Sequence, residues 1–163
     1  MILGVVGDTH NRLENVEKII NIFNSNKVDS VIHTGDITQA KTLKIFSKLH
    51  CSLIGVYGNN DVNEEGLKET SFDCGFKLTE PPLITTIYNR KIAIFHEPEG
   101  IEDKIENDPN IDLILHGHTH RYRNEKIKGV RIFNPGECAG FLKGKNAVGL
   151  INLKNMSIKR IFF

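Results

Sequence analysis

At 163 residues the chain fits one domain, spanning 1–163, and is long enough to bury a sizeable core without disulfide or metal staples. Hydrophobic residues make up 39% and charged residues 25%, and the formal net charge is +1. That balance gives no sign of a dedicated nucleic-acid or membrane partner. No apolar run approaches the ~18 residues of a membrane span.

The chain opens on a strand-like run, Ile2-Leu3-Gly4-Val5-Val6, with no charged lead or cleavage region. Leu13, Val16, Ile19, Ile20 and Phe23 then recur at helical spacing. Val31-Ile32 runs into Thr34-Gly35, Leu43, Phe46 and Leu49 mark a second helix, and Leu53 to Tyr57 forms a third strand. This βαβαβ order predicts parallel strands with helices packed on the sheet. The second half is richer in strands. Leu83 to Tyr88 and Lys91 to Phe95 read as a hairpin turning at Asn89-Arg90. Ile101 and Ile105 suggest a short helix, and Leu113 to Leu115 a buried strand. Two further hairpins follow, one turning around Gly129 and one joining Ala147–Leu153 to Ser157–Phe163 through Lys154-Asn155-Met156. The terminal Ile161-Phe162-Phe163 reads as an edge strand, a core strand or a contact, which leaves homo-oligomerisation open.

The three cysteines, Cys51, Cys74 and Cys138, form no CxxC pair, which argues against a disulfide framework and a zinc ribbon. They suit a reducing compartment, so the expected location is the cytoplasm. Acidic residues concentrate between Asp61 and Asp108, while Arg121, Arg123, Lys126, Lys128 and Arg131 read as a solvated basic face.

Chemistry-bearing residues follow five predicted strands. Asp8 and His10 follow the first, Asp36 the second and Asn59 the third. His96 follows the Ile92–Phe95 run, and His118 and His120 follow Leu113–Leu115. In open α/β sheets the carboxyl ends of strands form the ligand crevice, so these seven side chains are expected to meet. Gly7, Gly35, Gly58 and Gly117 flank them, permitting the tight turns that short ligand-bearing loops need. His33 and His116, on or at the end of buried strands, are read as structural, and His50 as a helix-end or solvent-facing residue.

The ordered segments Asp8-Thr9-His10, Gly35-Asp36, Gly58-Asn59-Asn60-Asp61, His96 and Gly117-His118-Thr119-His120, followed by Asn134-Pro135-Gly136, resemble the motif series of calcineurin-like metallophosphoesterases. The short length is most similar to that family's small single-domain phosphodiesterase branch. The resemblance implies an α/β fold, a four-layer αββα sandwich with two facing mixed β-sheets. It also implies two divalent metal ions, with Asp8, His10, Asp36 and His120 holding one, and Asp36, Asn59, His96 and His118 the other. Mn²⁺ is the expected metal, with Ni²⁺, Co²⁺, Fe²⁺ and Zn²⁺ as further candidates for such a mixed ligand set. Two divalent cations against two aspartates leave a doubly positive site, which a phosphodiester monoanion and a hydroxide neutralise. The implied reaction is hydrolysis of a small phosphate ester, diesters preferred, by a hydroxide bridging the two metals.

Three positions depart from the family pattern. Asn60 stands at the catalytic and substrate-binding position where the family commonly has a histidine; it can donate a hydrogen bond but not a proton at neutral pH. Glu97 follows His96 where glycine is frequent, and Glu137 follows Asn134-Pro135-Gly136 where a small residue is more usual. Arg121, next to His120, is a candidate phosphate contact. The competing readings are a non-catalytic interaction scaffold resembling the retromer small subunit, and a phosphomonoesterase or nuclease. Seven competent ligand positions favour the enzyme.

Overall fold

Period-two alternation along the strands sets the layers of the protein. The computed structural model describes residues 1–163. In β1 (Ile2–Val6), Leu3 and Val5 join an apolar cluster between two sheets, while Val6 joins a second cluster under the first helix. In the strand Arg90–Ile94, Ile92 and Ile94 take the same inter-sheet side and Ala93 faces a helix. A strand buried on both faces belongs to a sheet covered on both faces. The result is the expected four-layer arrangement, helices outside and two mixed sheets facing each other within.

The six-stranded sheet runs β11-β10-β1-β2-β3-β4, where β2 is Ser30–His33, β3 Ser52–Val56, β4 Lys77–Thr79, β10 Ala147–Asn152 and β11 Ser157–Phe162. β1, β2, β3 and β4 are mutually parallel, while β10 and β11 run antiparallel to their neighbours. α1 (Leu13–Ser25) packs Val16, Ile19, Ile20 and Phe23 on its outer face. The five-stranded sheet runs β5-β6-β7-β9-β8, with β5 Leu83–Ile87, β6 Arg90–Ile94, β7 Leu113–Leu115, β8 Arg123–Ile127 and β9 Val130–Asn134. β6, β7 and β9 are parallel. The helix α4 (Ile101–Asn107) covers it with Ile101 and Ile105.

Three details differ from expectation. The second helix, α2 (Ala40–Ile45), is shorter than the spacing of Leu43, Phe46 and Leu49 suggests, and a 3₁₀ turn over Phe46–Lys48 follows it. There the Ser47 hydroxyl donates to the Lys44 carbonyl at 2.7 Å, competing with helical continuation. α3 (Leu67–Asp73) and β4 left no periodic apolar signal, because α3 buries only Leu67 and Ser71. The hairpin β5–β6 turns at Tyr88-Asn89 rather than at Asn89-Arg90, since Ile87 pairs with Arg90. Tyr88 and Asn89 both have φ near +50° (48° and 57°), as a two-residue primed turn demands. Arg90 is thereby a strand residue, and its guanidinium donates to Asp112 at 2.9 Å. Of the readings open for the terminal segment, the edge strand is the one observed: Ile161 and Phe163 pack toward the helix-side core while Phe162 lies exposed beneath the Arg160 guanidinium. No helix is long and apolar enough to cross a membrane.

Candidate metal centre

The carboxyl ends of β1, β2, β3, β6 and β7 bring all seven singled-out side chains to one edge of the sandwich. The loops that carry them are conformationally costly. Asp8, His10, Asp36, Thr38, His118 and His120 all have positive φ, between 44° and 75°. Non-glycine residues in that region cost of order 1–3 kcal/mol each and persist where surrounding structure over-determines them. Two flanking glycines make the close approach possible. A Cβ on Gly117 would sit 2.9 Å from Asp8 Oδ2 and 2.8 Å from the Thr34 hydroxyl, and one on Gly58 would collide with the Asp36 carboxylate.

The side chains divide into two clusters, Asp8 with His10 and His120, and Asp36 with His96 and His118; within each, the ligating atoms lie within 4.8 Å of one another. Asp36 faces both. Its Oδ2 is 3.8 Å from His10 Nε2 and its Oδ1 is 3.5 Å from His96 Nε2. Asn59 Oδ1 completes the second cluster, 2.9 Å from His96 Nε2 and 3.1 Å from His118 Nδ1.

The proton positions explain why these atoms converge. His96 Nδ1–H donates to the Thr34 carbonyl at 2.8 Å, which turns Nε2 toward Asn59 Oδ1 and Asp36 Oδ1. His120 Nδ1–H donates to Glu137 Oε2 at 2.5 Å, so its Nε2 faces Asp8 Oδ1 at 4.0 Å. Imidazole nitrogens, carboxylate oxygens and an amide oxygen thus converge as a cation's ligand set would. Asp8 Oδ2 and His10 Nε2 are buried with no hydrogen-bond partner, and unpaired buried polar atoms are costly. Burial pushes the Asp8 carboxyl up to about 7, against the lowering by His120 and by the His118 backbone N–H. Ionising it calls for positive charge nearby. The donor set therefore fits a pair of divalent cations, with nitrogen and oxygen ligands of the kind transition metals take.

A second layer of hydrogen bonds fixes the ligand loops. Asp61, 4% exposed, accepts from the backbone N–H groups of Asp36 (2.9 Å), Gly58 (2.7 Å) and Thr38 (2.6 Å), tying the loops after β2 and β3 together. Burial raises its pKa, and the bonds from Gly58, Thr38 and Ile37 work against that rise. His33 accepts from Gly35 N–H at 3.2 Å and donates to the Thr9 hydroxyl at 3.1 Å, linking the loops after β1 and β2. Burial depresses its pKa to about 3, so it is neutral and structural, as expected. His116 donates through Nδ1 to the Gly117 carbonyl and is likewise held neutral, its pKa lowered by burial to about 4. His50 is exposed. The Asn134 side-chain amide donates to the Gly117 carbonyl at 3.0 Å, which joins the end of β9 to the loop carrying His118 and His120.

Two candidate substrate contacts have different surroundings. Asn60 spends its side-chain amide on Asp36 Oδ2 at 2.8 Å and its backbone N–H on Asp36 Oδ1 at 2.9 Å. Arg121 is exposed beside His120, and only its backbone N–H makes a hydrogen bond, to the Thr119 hydroxyl at 3.3 Å. The linking roles of Asp61 and Glu137 escaped sequence reasoning. Asp61 lies inside a quoted motif, but nothing in the motif says that it binds three backbone donors.

Comparison with known proteins decides the family, because the calcineurin-like phosphoesterase superfamily domain matches residues 1–156. The chain belongs to that superfamily. It is 32% identical to Phosphodiesterase MJ0936 of Methanocaldococcus jannaschii over 163 residues, covering 99% of this chain and 98% of that protein. The solved structure of an archaeal phosphodiesterase superposes with a TM-score of 0.91 at 32% identity, covering all of both chains. Zinc-bound Vps29 of Entamoeba histolytica shares the fold, with a TM-score of 0.71 at 19% identity over 100% of this chain and 98% of that one. In this calcineurin-like chain, then, the four-layer sandwich and the motif order agree.

Proposed function

We propose that this calcineurin-like phosphoesterase is a phosphodiesterase that works with two divalent cations, Mn²⁺ first among the candidates. The single observation that carries the reading is the convergence of ligating atoms from His10, His96, His120, Asn59 and the two aspartates, with Asp8 Oδ2 and His10 Nε2 buried and unpaired. Asp8, His10 and His120 would hold one cation, and Asn59, His96 and His118 the other, with one oxygen of Asp36 turned to each. When bound, such a pair supplies Lewis-acid stabilisation of phosphoryl oxygens and a hydroxide nucleophile at neutral pH.

The rest falls to the protein's own groups. Asp61 and His33 hold the ligand loops rigid, so that a substrate phosphate meets a preorganised site. Asn60 steadies Asp36 and offers no proton to a departing alkoxide. Leaving groups that need none, such as aryl alcohols, are therefore preferred. Beside Asn59 and His96 opens a groove of about 340 Å³, floored by Tyr57, Val62, Phe95, Pro81 and Pro82 and rimmed by Glu80, Glu97 and Glu99. It suits an ester substituent of small-molecule size.

An intact ligand set supports catalysis over a purely scaffolding role, and the likeness to Vps29 speaks for the fold alone. Three free thiols accord with a cytoplasmic location. The test is chelation followed by restoration with single metals, assayed on aryl diesters, cyclic nucleotides and monoesters. Diester hydrolysis abolished by chelator and restored by Mn²⁺ supports the reading. Hydrolysis indifferent to chelation, or confined to monoesters, overturns it.

A further inference from the structure

Glu137 is 1% exposed and has no lysine or arginine partner. A buried carboxylate left without a counter-charge is costly, so its two oxygens must be well used. Oε2 accepts from His120 Nδ1–H at 2.5 Å, and Oε1 accepts from the Phe141 backbone N–H at 2.7 Å. The backbone beneath it is fixed as well. The Glu137 carbonyl accepts from Ala147 N–H at 2.8 Å, and the Cys138 carbonyl accepts from the Asn15 side-chain amide at 2.7 Å. Phe141, whose backbone that second oxygen holds, sets its ring against the imidazoles of His10 and His120, with ring centres 5.5 and 5.4 Å apart.

We infer that Glu137 is a positioning residue for the Asp8, His10 and His120 cluster, fixing the His120 proton on Nδ1, aiming its Nε2 at the cation and pinning Phe141 over the ligand rings. The inference rests on the reading that this cluster holds a divalent cation. A carboxylate behind a ligating histidine sets its tautomer and raises its basicity, and losing such a partner typically costs about 10–100-fold in metal affinity. Both partners of Glu137 are donors, so the carboxylate satisfies each with a separate oxygen. Glutamine at this position has one acceptor oxygen, which leaves one donor facing an amide N–H.

Two measurements on the full-length protein test this. The first is ¹⁵N–¹H long-range correlation of the histidine rings in metal-free protein, assigning the His120 signals by their loss in His120→Ala. Wild type is expected to carry the His120 proton on Nδ1, and Glu137→Ala to show a mixture of tautomers; a wild-type proton on Nε2 overturns the inference. The second is equilibrium dialysis against graded Mn²⁺ with elemental analysis. Wild type is expected to take up two equivalents. Glu137→Ala should weaken one of them about 10–100-fold and leave the other unchanged, with Glu137→Gln, nearly isosteric, in between. Two equivalents at wild-type affinity in both variants overturn this inference alone. Wild-type protein that takes up no Mn²⁺ overturns the metal reading beneath it, and the inference with it.

Discussion

Asn60 grips Asp36 at both carboxylate oxygens, through its side-chain amide at 2.8 Å and its backbone N–H at 2.9 Å. Asp36 is also the one carboxylate that faces both histidine clusters. The residue standing where a general acid is common in the family is thus committed to the central ligand. Replacing it by histidine should add a proton donor, an effect worth about 10²–10⁴-fold where protonation limits the rate. Asn60→His is expected to raise turnover of alkyl phosphate esters by ~10-fold or more while leaving p-nitrophenyl diesters nearly unchanged. Equal effects on both substrates would show that leaving-group protonation is not what Asn60 lacks.

Asp36 invites its own test. Asp36→Ala removes an oxygen from each cluster, so both cations should bind more weakly, and metal content after dialysis should fall well below that of wild type. A variant that retained close to wild-type metal content would remove Asp36 from its central role.

Gly117 lies where side chain is not tolerated. Gly117→Ala would place a methyl 2.9 Å from Asp8 Oδ2 and 2.8 Å from Thr34 Oγ1, neither of which has room to retreat from a buried loop. Overpacking of this kind costs roughly 1–3 kcal/mol. The variant should melt lower than wild type and lose Mn²⁺ affinity together. An unchanged melting temperature with unchanged metal uptake would contradict the crowding described.

His33 makes a pH prediction with a definite sign. Its folded pKa is lowered to about 3 from an ordinary value of 6.5, so between those values the unfolded chain binds more protons than the folded one. Stability from this group is therefore present above pH 6.5 and lost progressively as pH falls toward 3. His33→Gln, which has no such titration, should show a shallower loss of melting temperature across that window. Parallel acid limbs for the two proteins, measured without metal, would refute the assignment.

Glu97 and Glu99 line the groove beside His96, and both are exposed. The double variant Glu97→Gln with Glu99→Gln should lower KM for a nucleotide carrying extra phosphate by several-fold at low salt, with little change for a neutral-tailed aryl diester. Indifference of both substrates would assign these glutamates to the turn around Pro98.

Local sequence pattern was enough for parallel strands flanked by helices and for seven converging side chains, while the four-layer sandwich was implied by the family resemblance. Ile2–Val6 and Leu113–Leu115 declare themselves as buried strands by continuous apolar runs, and Asp8, Asp36, Asn59, His96 and His118 declare their place by following strands. Such signals are local, carried by period and by neighbouring glycines. The proton positions were not local. That His96 donates to the Thr34 carbonyl, that Asp61 gathers three backbone donors and that Glu137 stands behind His120 are facts of contact between segments 17 to 62 residues apart or brought together by separate strands. Short elements such as α3 and β4 were hidden for the same reason, being held by neighbours rather than by their own apolar period. A chain can state which chemical groups it offers at the ends of its strands; which atom each turns inward is settled only when the loops are packed against one another.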